Sequence, residues 1–101
     1  MATTSKALFR GAATTNTATT LYTVPASTTA VVTNIVVSNT GSAAYTFTMA
    51  FNSVAFATTV SIAANSIAIF DIKQVLSATQ TITGGASNTA VTFHISGVEI
   101  V

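Results

Sequence analysis

The chain has 101 residues, enough for one domain with a single hydrophobic core. Charged side chains make up only 5% of it and the formal net charge is +1, so it lacks the clustered cations that nucleic-acid binding requires. Cysteine is absent, which excludes disulfides, thiolate catalysis and thiolate metal ligands. We expect neither secretion nor membrane insertion, because no apolar run approaches the ~18 residues of a membrane span and no signal-peptide core follows the N-terminus.

The low charge has two interpretations. A stable β domain can keep a neutral surface of Thr, Ser, Ala and Asn. Alternatively, copies of the same chain or a larger assembly cover much of the surface. We favour the second interpretation, because a free monomer normally relies on charges for solubility.

The N-terminal region is predicted to be extended. Residues 1–7 are polar and lack a period, which is typical of a flexible or docking arm. A short first strand is expected at residues 7–11, and the Thr-rich residues 12–20 are expected to be extended. Leu21–Val24 is predicted as a strand that ends at Pro25, because proline cannot donate a ladder hydrogen bond.

Two strands between Thr29 and Phe51 are predicted to form a hairpin. The first alternates from Thr29 onward, and Asn39–Ser42 supplies residues that suit a tight turn. On the return strand the small or hydroxylated side chains lie on one face. The large apolar side chains lie on the other face, and they are Tyr45, Phe47, Met49 and Phe51. We expect this aromatic face to form one wall of the core, opposite Phe93 and Ile95.

The next segments also favour strands. A turn at Asn52–Ser53 precedes a strand at 54–60, and a further turn is expected near Asn65. Residues 67–72 are mostly apolar and are predicted to form a strand buried on both faces. A helix over residues 62–76 is the alternative, which the β-branched content disfavours.

The C-terminal third is predicted to contain two strands. A short strand at 80–83 is followed by a turn at Gly84–Gly85, and the last strand runs over residues 89–101. The apolar positions change parity after Gly97 in this strand. We therefore predict a β-bulge at or beside Gly97, which would return Val98 and Ile100 to the core face.

These segments predict an all-β fold in a single domain spanning residues 1–101. The expected architecture is an antiparallel β-sandwich of about eight short strands with an extended N-terminal arm, with a jelly roll as one candidate topology. A small closed barrel is the alternative.

Few residues are suited to catalysis. Asp71 and Glu99 are the only acids and lie far apart in sequence, so paired-carboxylate chemistry is not expected. A triad of serine, His94 and Asp71 lacks any supporting motif, and a lone histidine is a poor metal site. We therefore expect no enzyme activity, no catalytic residue, no metal and no cofactor.

Five residues are predicted to contribute to a protein interface. Three lie in the N-terminal arm, where they could dock on an acidic neighbour: Lys6, Phe9 and Arg10. The other two, Asp71 and Lys73, are two positions apart on one side of a strand. They are expected to form a surface ion pair or a contact between subunits.

The segments LYTVPASTTAVVTNIVVSNTGSAAYTFTM and VTFHISGVEIV resemble small virion structural proteins of tailed bacteriophages, a group similar to capsid decoration (cement) proteins. The likeness covers residues 8–101, and its most specific pieces are residues 21–26, 36–41 and 96–100. It departs from the usual pattern at two turns, with Ser27 in place of a glycine and Thr79-Gln80 in place of Gly-Asp.

The resemblance implies a virion structural protein made in the host cytoplasm, on the capsid surface or in the tail. The implied partners are the major capsid protein and copies of the chain itself, with a trimer as one arrangement. No nucleic acid, membrane or small-molecule substrate is expected. The alternative is a tail-fibre or baseplate module that binds a host receptor or carbohydrate, for which Phe56 and then Tyr22 are the candidate sugar-stacking residues.

Overall fold

Antiparallel strands carry most of the chain in the computed structural model, which describes residues 2–101. In chain order the strands are β1 (Thr3–Ala12), β2 (Thr20–Thr23), β3 (Thr29–Asn39), β4 (Tyr45–Phe51), β5 (Val54–Ile62), β6 (Ser66–Phe70), β7 (Gln74–Leu76), β8 (Thr81–Ala86) and β9 (Val91–Ile100). Over residues 2–101 there is no helix, and hence none able to cross a membrane. The predicted all-β class is confirmed.

The strands form two separate sheets, so the architecture is a sandwich and not a closed barrel. One sheet has the order β1-β9-β3-β6, with β7 also paired to β3, and the other has the order β2-β8-β4-β5. The pairs are nested: the β4–β5 hairpin lies at the centre of the sequence, and β3 with β6 and β7, β2 with β8, and β1 with β9 follow outward. This nesting is a jelly-roll topology, in which β6 and β7 act as one interrupted strand.

The hairpin predicted between β3 and β4 is wrong, although both strands exist. β3 belongs to the five-stranded sheet and β4 to the four-stranded sheet, so the chain crosses the sandwich between them. Asn39 makes this crossing possible, because its buried side-chain amide donates to the carbonyl oxygens of Ala43 and Ile62 at 2.8 and 3.1 Å. Its side-chain oxygen accepts from the Gly41 N–H at 2.9 Å. Asn39, which was predicted to lie in a hairpin turn, therefore stabilises an arch, the connection that crosses from one sheet to the other.

The first true hairpin is formed by β4 and β5. Asn52 and Ser53 join them with φ values of 50° and 63°, and two successive positive φ angles characterise the type I′ turn of two-residue hairpins. The turn predicted at these residues is confirmed.

The core lies between the inner faces of the two sheets. The aromatic wall predicted on β4 is confirmed, because Phe47, Met49 and Phe51 are buried while Tyr45 is half-buried at the end of the strand. Phe47 meets Phe93 of β9 edge-on across the sandwich, with ring centroids 6.2 Å apart. Such edge-to-face pairs add ~0.5–1.5 kcal/mol to the burial of the rings.

Gly84 and Gly85 do not form the predicted turn. Both are buried within β8, where they pair with Met49 and Thr48 of β4. A Cβ at Gly85 would overlap the carbonyl oxygen of Asn16, because the loop between β1 and β2 lies directly on this strand. The glycines serve a close backbone approach and not a reversal of direction.

Two register shifts lie beside Gly97, where a bulge was predicted. The extra residues are in the two strands that pair with β9 and not in β9 itself. The pairing shifts between Val32 and Asn34 in β3, opposite the Ser96–Gly97 step of β9, and between Ala7 and Phe9 in β1, opposite the adjacent Ile95–Ser96 step. β9 itself continues its alternation through Gly97, so the predicted return of Val98 and Ile100 to the core is wrong, and both stay half-buried.

The strand predicted to be buried on both faces is an edge strand. β6 pairs only with β3, and its Ile67 and Ile69 side chains are 65% and 66% exposed. The N-terminal arm is also a paired strand, because β1 begins at Thr3 and runs along β9. Residues 3–7 are therefore extended and hydrogen-bonded instead of flexible, and Met1 lies outside the described residues.

Candidate interaction surface

The five predicted interface residues lie on opposite edges of the five-stranded sheet. Lys6, Phe9 and Arg10 belong to β1 at one edge. Asp71 and Lys73 lie between β6 and β7, the strands that form the other edge. The structure therefore contains two separate candidate surfaces.

Lys6 takes part in a polar network that links the two sheets. Its Nζ lies 3.3 and 3.4 Å from the two carboxylate oxygens of Glu99 in β9. The same carboxylate accepts a hydrogen bond from the Tyr22 hydroxyl of β2, which belongs to the other sheet. We call Lys6, Tyr22 and Glu99 the sheet-bridging network. It closes the side of the sandwich where β1 and β2 are the edge strands.

The network shifts the ionisation of two of its members. The Tyr22 hydroxyl, and then the ammonium of Lys6, hold the pKa of the Glu99 carboxyl below its usual value. Burial raises the pKa of Tyr22, and its hydrogen bond to the Glu99 carboxylate raises it further. Both directions favour a neutral phenol that donates to an ionised carboxylate, so the network is structural at neutral pH.

Arg10 lies on the outer side of the same edge, beside a shallow groove. The groove has a volume of about 550 Å³ and runs over the register shifts of β1 and β3. It is lined by Ser5, Lys6, Ala7, Arg10, Thr33, Ser96, Gly97 and Val98. Within residues 2–101 Arg10 forms no ion pair, whereas Lys6 and Lys73 are paired with Glu99 and Asp71. The Arg10 guanidinium is therefore available to bind a carboxylate of another molecule.

Phe9 is not a free contact residue. Its ring is half-buried and packs against the core cluster. We call the exposed part of this edge, comprising Arg10 and the groove lined by Ser5, Ala7 and Ser96, the β1 groove.

At the opposite edge the predicted surface ion pair is present. Lys73 Nζ lies 2.8 Å from Asp71 Oδ1, and the two side chains are 63% and 81% exposed. The hydrogen bond and charge of Lys73 lower the pKa of the Asp71 carboxyl. Such an exposed pair contributes little to folding.

The structure does not assemble the catalytic combinations considered for the sequence. Glu99 is engaged in the sheet-bridging network, whereas Asp71 is paired with Lys73 at the other edge of the sheet. His94 is half-buried and lies between Arg10 of β1 and Val36 of β3. Across residues 2–101 no three histidine, aspartate or glutamate side chains come together.

The candidate sugar-stacking aromatics are engaged in packing. Phe56 belongs to β5 and not to a loop, and its ring lies 5.4 Å from that of Phe51 and 5.5 Å from that of Phe70. Tyr22 is buried, and its hydroxyl donates to Glu99 within the sheet-bridging network. Phe56 is only partly buried, and it also lines a surface pocket of about 400 Å³ together with Val54, Gln74 and Gln80.

Comparison with known proteins finds no matching family model, no matching curated protein and no matching solved structure.

Sequence reasoning missed the sheet-bridging network for one identifiable reason. The predicted bulge moved Val98 and Ile100 to the core face of β9, which would place Glu99 outward. Without a bulge in β9, Glu99 shares the parity of Ile95 and Gly97 and faces the other sheet. A carboxylate on the inward face of a strand needs a hydrogen-bond donor from the opposite sheet. This requirement could have indicated a contact such as the one with Tyr22.

Proposed function

We propose that the chain is a non-enzymatic virion structural protein of a tailed bacteriophage, a capsid decoration protein that binds the shell exterior and stabilises it. Its partners are the major capsid protein and copies of itself. The strand and corner segments that resemble such proteins support the proposal, and a jelly-roll sandwich with few charges suits a passive structural role.

The proposal depends on which of the three cationic side chains form ion pairs within the chain. Lys6 and Lys73 neutralise the two acids of the chain, whereas Arg10 forms no ion pair with residues 2–101 and lies exposed beside the β1 groove. Arginine is the cation best suited to protein interfaces, because its planar fork binds a carboxylate through two hydrogen bonds. The β1 groove is therefore the surface that contacts an acidic group of the shell.

The mechanism needs no chemical step. Each bound copy buries surface on the assembled shell, and dissociated shell subunits do not present the same combined surface. Binding then stabilises the assembled state by mass action, in proportion to the logarithm of the concentration of free protein over its dissociation constant. The rigid edge of β1, hydrogen-bonded along β9, limits the entropy lost on docking.

The alternative, a tail-fibre or baseplate module that binds a receptor or sugar, gains no support from the aromatic side chains. Of its two candidate stacking residues, Tyr22 is buried, and Phe56 lies in strand β5 and not in a loop, with its ring packed against Phe51 and Phe70 at the border of a surface pocket. The proposal of a shell-binding role therefore ranks first.

Co-sedimentation with capsids of the encoding phage that lack this protein tests the proposal. Wild-type protein is expected to pellet with the shells. Arg10→Glu is expected to weaken binding at least tenfold, which corresponds to about 1.4 kcal/mol. Lys73→Glu is the matched control, because it makes the same charge change at the opposite edge of the sheet.

Three results would contradict the proposal. Wild-type protein that stays in the supernatant would refute shell binding. Equal binding by Arg10→Glu and wild type, or a larger loss for Lys73→Glu, would place the contact outside the β1 groove.

A further inference from the structure

The two sheets have four edges, and three of them carry features that prevent strand addition. β1 contains Lys6 and Arg10 and a register shift, and β2 has only 4 residues. β5 has two register shifts in its pairing with β4, and Thr59 within it has a φ of 49°. Charges, short length and irregular backbone are the usual means by which a sheet edge avoids pairing with another chain.

The edge formed by β6 carries neither charges nor an irregular backbone. Its pairing with β3 is regular from Ser66 to Phe70, and the segment SIAIF contains neither a charge nor a proline. Its two outward side chains, Ile67 and Ile69, are the most exposed isoleucines of the chain at 65% and 66%. The charged pair Asp71 and Lys73 begins only after the strand ends, so it limits the open edge to the five residues of β6.

We propose that β6 pairs antiparallel with β6 of a second copy of this chain, about a twofold axis through Ala68. An edge strand offers alternating N–H and C=O groups, and another extended strand satisfies them best. Self-pairing across a twofold axis requires the same residues to match in both directions. SIAIF meets this requirement, because isoleucines lie on both sides of Ala68 and each Ile67 falls opposite Ile69 of the other copy.

The apolar surface next to the strand favours the same occupant. Ile69 pairs in register with Val36 of β3, whose side chain is half-buried on the outer face of the sheet. Cross-strand pairs of β-branched residues stabilise a sheet by packing. In the dimer, Val36 and the isoleucines of both copies would form one continuous apolar strip across a shared sheet. This contact is independent of shell binding, since it uses the edge opposite the β1 groove.

Sedimentation analysis of the purified chain between about 10 µM and 1 mM tests for the dimer, a range that brackets a weak to moderate dissociation constant. The mass is expected to rise from 10.2 kDa toward twice that value. Ile69→Lys is expected to raise the dissociation constant at least tenfold, with an unchanged circular dichroism spectrum because the side chain is exposed. Val54→Lys is the control, because Val54 is 68% exposed on the irregular edge strand β5.

Cysteine cross-linking tests the register, since the wild-type chain contains no cysteine. Ile67→Cys and Ile69→Cys are prepared as separate proteins. Residues directly opposite each other come within disulfide range, whereas diagonal ones are ~7–8 Å apart. Oxidation of an equimolar mixture should therefore yield more covalent dimer than either variant alone.

A monomer at all concentrations would overturn the proposal and leave β6 available to a strand of another protein. Equal weakening by Ile69→Lys and Val54→Lys would show a contact made elsewhere. Stronger cross-linking of either single variant than of the mixture would exclude the axis through Ala68.

Discussion

Removal of the Tyr22 hydroxyl group tests whether the sheet-bridging network stabilises the folded sandwich. Tyr22→Phe keeps the buried ring and deletes only the O–H that donates to Glu99. A hydrogen bond to a charged group contributes ~1.5–3 kcal/mol. The Glu99 side chain is 13% exposed and keeps its contact with Lys6, so water and the ammonium compensate in part. We therefore expect a loss near the lower limit, about 1.5 kcal/mol.

Urea denaturation measures the free energy of unfolding, and a thermal scan provides a second reading. A loss of ~1.5 kcal/mol corresponds to a decrease in Tm of ~6–12 °C for a domain of this size. Tyr45→Phe is the matched control, because no hydrogen bond from the Tyr45 hydroxyl occurs within residues 2–101. A loss below ~0.5 kcal/mol for Tyr22→Phe, or equal losses for the two variants, would refute the role given to the network.

Three further predictions follow from the backbone and from Glu99. Thr79 occupies a left-handed conformation with φ of 71°, so Thr79→Gly is expected to raise the free energy of unfolding by about 0.5–1 kcal/mol, measured in urea, after the entropic cost of glycine is subtracted. Gly97→Ala would drive a methyl group into the Val31 carbonyl and should cost about 2–3 kcal/mol, whereas Gly11→Ala meets only ordinary contact and should cost far less. Because the pKa of Glu99 is held below its usual 4.5 in the native state, the stability that this carboxylate contributes should be present above that pH and fade as the pH falls below it. Glu99→Gln should flatten this acid limb of a pH series of thermal scans; an unchanged limb would contradict the assignment.

The strands could be predicted from the sequence because burial on one face imposes a period of two. β4 and β9 show this most clearly, since their alternating Phe, Met and Val positions are the buried ones. The class and the sandwich architecture follow from many such segments separated by turns. These features depend on local sequence, which explains why they could be read without a structure.

Strand pairing was harder to predict, because the same residue types occur in hairpin turns within one sheet and in connections between two sheets. Asn39 and Gly41 suit a tight turn, but the side chain of Asn39 binds Ile62, 23 residues away. The Gly84–Gly85 pair likewise reflects contact with the distant Asn16. Edge position has the same origin, because the apolar β6 is exposed only as a consequence of the strand order. Each error concerns a long-range contact that local propensity does not encode.

The candidate surfaces could be predicted only in part. The ion pair of Asp71 and Lys73 follows from their spacing on an extended chain, and the structure confirms it. The partnership of Lys6 with Glu99 joins residues 93 positions apart and depends on the pairing of β1 with β9. The isolation of Arg10 could be recognised only after the other two cations had been assigned their partners.

Cryo-electron microscopy of purified virions from the proposed phage source tests the proposed function most directly. The proposed function predicts density for the jelly-roll sandwich on the outside of the shell, with Arg10 of β1 against an acidic group of the major capsid protein. Density only in the tail or in a fibre, or virions that lack the chain, would contradict it.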